Sequence, residues 1–215
     1  MKPTGGALEL SGIEKDLEEL SRLAVTLGAS RARPVPADFI VVDERVQLKC
    51  RFPPCPFYGR NRMCPPFTPT AEEFRKYLAK YRHALIVQLD VPLTEDVKRR
   101  IHGDSRLEEL FSDREFSRTL MREGRQAWRL LNQVISGVER ESFKRGYRFA
   151  VGFAAGSCPL CDECDVTAPC KHPFEARPSM EAVGIDVHGT LNKVGLGVEW
   201  GARGTVTLTG LILID

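Results

Sequence analysis

The chain lacks any apolar run near the roughly 18 residues that a membrane-spanning helix needs. Its most apolar stretches, Ala84–Val91 and Leu208–Ile214, are strand-sized. Met1-Lys-Pro-Thr-Gly-Gly leads to the charged Glu14-Lys-Asp-Leu-Glu-Glu without the apolar h-region of a secretory signal, so none is expected. Net charge is scarce: 31 Lys and Arg stand against 29 Asp and Glu, leaving +2, where a dedicated nucleic-acid binder carries a strong basic excess. There is no internal repeat, low-complexity tract or linker, and no P-loop, H-E-x-x-H or G-x-S-x-G motif. Gly195-Leu-Gly197-Val-Glu-Trp200 places Trp at the third glycine position of the dinucleotide fingerprint, so that motif is absent too. His83 and His102 stand isolated from any Cys or carboxylate arrangement. With 42% apolar residues in 215, a real core is expected, in a soluble, cytoplasmic chain.

The patterning predicts one α/β domain over residues 1–215, with a mixed sheet and flanking helices. Ile13, Leu17, Leu20 and Ala24 recur at helical spacing between an N-cap at Ser11 and a stop at Gly28. Asp38–Asp43 reads as a strand, with Val46–Leu48 returning beside it. Thr70 caps a helix to about Arg82 that buries Phe74, Leu78 and Tyr81, and Ala84–Val91 follows as a buried strand. From Asp113 to about Arg145 the stripe Phe116, Leu120, Ala127, Leu131, Val134 and Val138 predicts a long helix. Tyr147–Phe153 and Thr205–Ile214 read as strands, and short helices are expected near Ser179–Val183 and Val187–Lys193.

What the chain has in quantity is cysteine: seven, an odd number that excludes full disulfide pairing within one chain. In a reducing compartment clustered thiols more often hold metal. One loop, at 156–178, contains Cys158-Pro-Leu-Cys161-Asp-Glu-Cys164-Asp-Val-Thr-Ala-Pro-Cys170, a C-x2-C-x2-C-x5-C pattern. Three thiolates at three-residue steps wrap one corner of a cubane, as in ferredoxin-type [4Fe–4S] binding, and a more distant cysteine completes the set. A four-cysteine zinc site is the alternative, although it usually shows two separated C-x2-C knuckles. The other loop, at 50–69, runs Cys50-x4-Cys55-x8-Cys64, stiffened by prolines. Seven cysteines then divide as four plus three. A cluster held by three thiolates leaves one iron open as a Lewis acid, by analogy with the open position of catalytic zinc. Alternatively His172, His188 or a carboxylate fills that position, or all seven cysteines serve one site.

The loops differ in charge. Val46–Ala71 has no acidic residue but carries Lys49, Arg51, Arg60 and Arg62, whereas Cys158–Cys170 carries Asp162, Glu163 and Asp165. Acidic neighbours disfavour adding an electron, so a cluster on the second loop is expected to be low-potential. The basic first loop offsets thiolate charge, or Arg60 and Arg62 contact an anionic ligand. Arg114, Arg118, Arg122, Arg125 and Arg129 step along one side of the long helix and read as a solvated face beside Glu115 and Glu123.

Three passages together resemble the family called domain of unknown function 2284, described as metal-binding. They are Cys50…Cys55-Pro-Phe-Tyr-Gly…Cys64-Pro-Pro, Gly156-Ser-Cys158-Pro-Leu-Cys161-Asp-Glu-Cys164, and Cys170-Lys-His-Pro…Arg177-Pro-Ser-Met-Glu-Ala-Val-Gly-Ile-Asp186. The resemblance spans residues ~45–190 and implies cysteine-bound metal, with both loops part of one design and no particular reaction.

Two functional classes follow for an iron–sulfur protein with at least one [4Fe–4S] cluster. One is an electron-transfer or redox accessory module acting on a partner protein. The other is an enzyme whose three-cysteine cluster binds a small anionic substrate, of dehydratase or desulfidase type. A zinc-stabilised interaction protein is a third.

Overall fold

The computed structural model describes residues 12–102, 114–198 and 204–215. Helix α1 (Gly12–Thr26) buries Leu17, Leu20 and Ala24 along one side, as their spacing dictates. Strand β1 (Arg31–Pro36) leads through a 3-10 turn (Ala37–Phe39) into helix α2 (Glu44–Arg51). Helix α3 (Ala71–Leu78) is followed by strand β2 (His83–Pro92) and helix α4 (Glu95–His102). The long helix α5 (Arg114–Lys144) precedes the short strand β3 (Val151–Phe153). A second 3-10 turn (Glu181–Val183), helix α6 (Val187–Val194) and strand β4 (Thr205–Ile214) complete the order. Among the described residues no helix is long and apolar enough to cross a membrane.

The strands form one sheet in the order β1-β2-β4-β3. Central β2 and β4 pair along their full length, Leu85 opposite Ile212 and Ile86 opposite Leu211. Their side chains alternate between faces, and both faces are covered. Leu85, Val87, Leu89, Ile212 and Ile214 pack against α1 and against Leu131, Val134, Ile135 and Val138 of α5. Ala84, Ile86, Leu211 and Leu213 pack on the other side against Phe74, Met180, Val183, Ile185 and Leu191. Each such fully buried Leu or Ile contributes about 1.5–3 kcal/mol of transfer free energy, so the sheet is the rigid base from which the cysteine loops project.

The α/β class holds, but the sheet is antiparallel throughout its four strands rather than mixed. Continuous apolar runs at 84–91 and 208–214 arise here because two layers cover an antiparallel sheet, not because the strands are parallel. Residues 38–43 are not a strand: they leave the 3-10 turn and make one bridge, Val42 to Ile185. Val46–Leu48 is helical, inside α2, whose N-cap Asp43 accepts the Arg45 N–H. The capping box at Thr70 and Glu73 forms as its sequence suggests, although α3 ends at Leu78 rather than Arg82. Strand β1 and helix α4 were not expected from the pattern. Tyr147–Ala150 turns before β3, and of Ser179–Val183 only Glu181–Val183 is helical, as a 3-10 turn whose Ala182 N–H reaches Ser179 Oγ. The expected roles of Ser11, Phe116, Leu120, Arg114 and Arg118 fall on side chains outside the described residues.

Candidate metal centre

The two cysteine loops start on different elements, helix α2 and strand β3. The first begins on a helix, since Cys50 lies in the last turn of α2. From there short turns fold it back: Cys55 N–H donates to Cys50 O, Tyr58 N–H to Cys55 O, and Cys64 N–H to Asn61 O. Gln47 closes its base, donating to Pro69 O and to Ala182 O while accepting the Ala71 N–H. Gln47 and Cys50 are three residues apart on α2 and so share a face. That face looks toward the 3-10 turn that carries Glu181.

The second loop leaves the end of β3 and returns to it. Ala154 N–H donates to Pro178 O, and Met180 N–H donates back to Ala154 O. Arg177 locks the return by pairing with Glu139 of α5 at 2.5 Å, and the same carboxylate accepts the Gly152 N–H. At the outgoing end Gly156 adopts φ 66°, and a Cβ there would overlap the Trp128 indole. Glycine is required at this position both for the left-handed backbone and for the close approach of the ring.

Helix α5 grips the second loop through carbonyl oxygens. Arg129 donates to Pro159 O at 3.0 Å, and Arg125 reaches Pro159 O and Cys161 O and pairs with Asp162. This part of the arginine stripe is therefore a clamp on the loop, a correction to the solvated face expected for it. The stripe had no visible acceptor in sequence because its acceptors are main-chain oxygens some 30 residues away.

The two loops touch directly. The Arg62 N–H donates to Cys164 Sγ at 3.4 Å, and the Arg62 guanidinium donates to Asp165 O and Val166 O. Buried Asn61 donates to Cys158 O at 3.3 Å. Arg62 is thus engaged by the second loop, while Arg60 is exposed and lines an open cleft.

All seven cysteines are free thiols and none is fully exposed. Cys158, Cys161, Cys164 and Cys170 line one small cavity together with His172 and Asn61. The His172 N–H donates to Cys170 Sγ at 3.4 Å. Burial pushes the Cys158 thiol up, and its three loop partners raise it further. Cys64 is pushed up to about 12, by burial first and then by Cys55, Cys50, Cys158 and Cys164. Cys64 therefore lies near Cys50 and Cys55 of its own loop and near Cys158 and Cys164 of the second. Burial raises the Cys50 thiol, with Cys55 and Glu181 adding to it. Glu181 keeps solvent access, yet the crowding of protein around it raises its carboxyl above the usual range.

Among the described residues no three His, Cys, Asp or Glu side chains are arranged to hold a single metal ion. A cubane takes each thiolate on a different iron, so its sulfurs ring a wider space than those around one ion. Four cysteines lining a common cavity, two of them accepting main-chain N–H donors, fit that donor set. Of the candidates for an eighth ligand, His172 lies by the second loop and His188 is exposed on α6, whereas the charge of Glu181 reaches Cys50. Sequence reasoning placed Glu181 only within the short helix expected near Ser179–Val183 and passed over Asn61 and Trp128. The glycine before the second loop was the one available sign of a close-packed ring.

Residues 33–214 match the family described as Predicted metal-binding protein (DUF2284). No curated protein and no solved structure matches the chain.

Proposed function

The chain belongs to the DUF2284 family of predicted metal-binding proteins, and we propose that the metal is iron, held as at least one [4Fe–4S] cluster by Cys158, Cys161, Cys164 and Cys170. The observation that carries this reading is that these four thiols line one cavity, with N–H donors directed at Cys164 and Cys170. A second metal site falls to Cys50, Cys55 and Cys64, of which Cys64 lies beside the first set.

The cluster supplies a one-electron centre, and the protein acts as an electron-transfer or redox accessory module for a partner protein in the cytoplasm, as one α/β metal-binding domain without a nucleic-acid or membrane role. The contact of Arg62 with Cys164 supports this reading, because it brings the two cysteine groups into one body and shortens any path between them. Arg62 and Arg125 offset the thiolate charge from either side of the second loop.

The second reading is an enzyme in which the three-cysteine set leaves one iron open to substrate. It is favoured by the cleft of about 810 Å3 that opens between the two loops and α5. Anaerobic titration with dithionite separates the two. A reducible cluster whose spectrum is indifferent to small anions supports the electron carrier. A spectrum that changes with substrate, and loses the change in Cys64→Ala, supports the enzyme and contradicts the carrier.

A further inference from the structure

The cleft beside the second loop has walls from three segments. Phe57 and Arg60 come from the first loop, Arg122 and Trp128 from α5, and Cys158 and Cys161 from the second loop. Its volume of about 810 Å3 lies within the range of small-molecule sites, roughly 300–1,000 Å3.

The charge balance along the walls is uneven. Arg125 and Arg129 are engaged by loop carbonyls, Asp162 is matched by Arg125 at 3.2 Å, and exposed Glu163 is the other acidic residue of the walls. Arg60 and Arg122 are exposed, and their guanidinium groups have no partner among the described residues. A planar guanidinium without a partner is suited to forked recognition of a carboxylate or phosphate. Half-buried Phe57 and Trp128 supply apolar wall near these two cations.

We infer that this cleft binds a small organic anion, its carboxylate or phosphate held by Arg60 and Arg122 and its apolar body lying against Phe57 and Trp128, beside Cys158 and Cys161. The pair of cations differs from the one the sequence suggested, because the Arg62 guanidinium is taken by Asp165 O and Val166 O. The inference goes beyond the metal reading and does not depend on which metal the cysteines hold. The apolar wall favours a ligand with a flat hydrocarbon portion over a bare inorganic ion.

Equilibrium dialysis of the protein as purified, with phenyl phosphate as probe, tests this directly. Inorganic phosphate and neutral benzyl alcohol serve as comparisons, and metal content is measured on every variant. The expected result is saturable binding of phenyl phosphate, tighter than inorganic phosphate and absent for benzyl alcohol. Arg60→Gln and Arg122→Gln each weaken it about tenfold or more, the loss of one charge-assisted pair, with metal content unchanged. Undetectable binding, equal binding of the neutral alcohol, or unchanged binding in both variants overturns the inference. A fall in metal content in the two variants also overturns it, since the arginines would then serve the metal loop. The iron–sulfur reading is decided separately by the identity of that metal.

Discussion

The backbone N–H of Arg62 donates to the sulfur of Cys164, 3.4 Å away, across a sequence separation of 102 residues. This contact joins a basic loop that starts on α2 to an acidic loop that starts at β3. The Arg62 side chain repeats the connection by donating to Asp165 O and Val166 O. The near-zero net charge of the chain conceals this pairing of unlike loops.

Arg62→Ala keeps the N–H to Cys164 and removes the guanidinium bonds. The loss is about 1–2 kcal/mol for partly exposed, charge-assisted hydrogen bonds. Metal release to a chelator is therefore expected to quicken about 5- to 30-fold, with little change in the folded content by circular dichroism. An unchanged release rate would show that the side chain does not hold the loops together.

Gly156→Ala meets two penalties. The left-handed backbone costs about 1–2 kcal/mol for a residue with a Cβ, and overlap with the Trp128 ring adds about 1–3 kcal/mol. Thermal unfolding is expected to fall by several degrees. Adding Trp128→Ala removes the overlap but not the backbone cost, so the double variant shows a coupling between the two positions. Strict additivity would contradict the packing described.

The ion pair of Arg177 with Glu139 is largely out of solvent, at 11% and 18% side-chain exposure. Removing one partner strands the other, which costs about 3–5 kcal/mol for a buried pair. Arg177→Ala should lower the denaturation midpoint by that equivalent. Glu139→Ala should lower it comparably, since it also frees the Gly152 N–H while Arg177→Ala also loses bonds to Ala176 O and Phe174 O. A loss below about 1 kcal/mol in either variant, the size expected of an exposed pair, would contradict the burial described.

The Cys64 thiol gives a pH signature. In the metal-free fold its pKa is raised to about 12 from the ordinary 9.0, mainly by burial. Between those values the folded chain keeps a proton that the unfolded chain has released. The associated stability is present below about pH 9 and is lost as pH rises toward about 12. Urea unfolding of metal-free protein is expected to weaken above pH 9, and Cys64→Ala to flatten that fall. Metal-loaded protein, whose ligands are already thiolates, is expected to lack the Cys64 part of it.

The helices α1 and α5 were legible because their apolar residues recur at helical spacing, and the strands β2 and β4 because each is a nearly unbroken apolar run of strand length. Strand β1 was not, because Pro34 and Pro36 argue against a strand interior. They are tolerated on an edge strand that pairs with β2 alone. Val46 and Leu48 alternate like a strand, yet the Asp43 cap turns the segment into α2 and puts Cys50 on a helix. The two cysteine loops were recognisable from spacing and prolines. Their contacts with each other and with α5 were not, since Arg62 to Cys164 and Arg125 to Cys161 O are long-range bonds to a sulfur and a main-chain oxygen. Composition shows the charges on each loop, and only the fold shows which of them are already engaged.

The central claim is tested most directly by iron, acid-labile sulfide and zinc analysis of protein purified without oxygen. The account predicts about four irons with matching sulfide per chain, or about eight when the three-cysteine set is also filled. It further predicts loss of at least the first four in Cys161→Ala. One zinc per chain with no sulfide would contradict it.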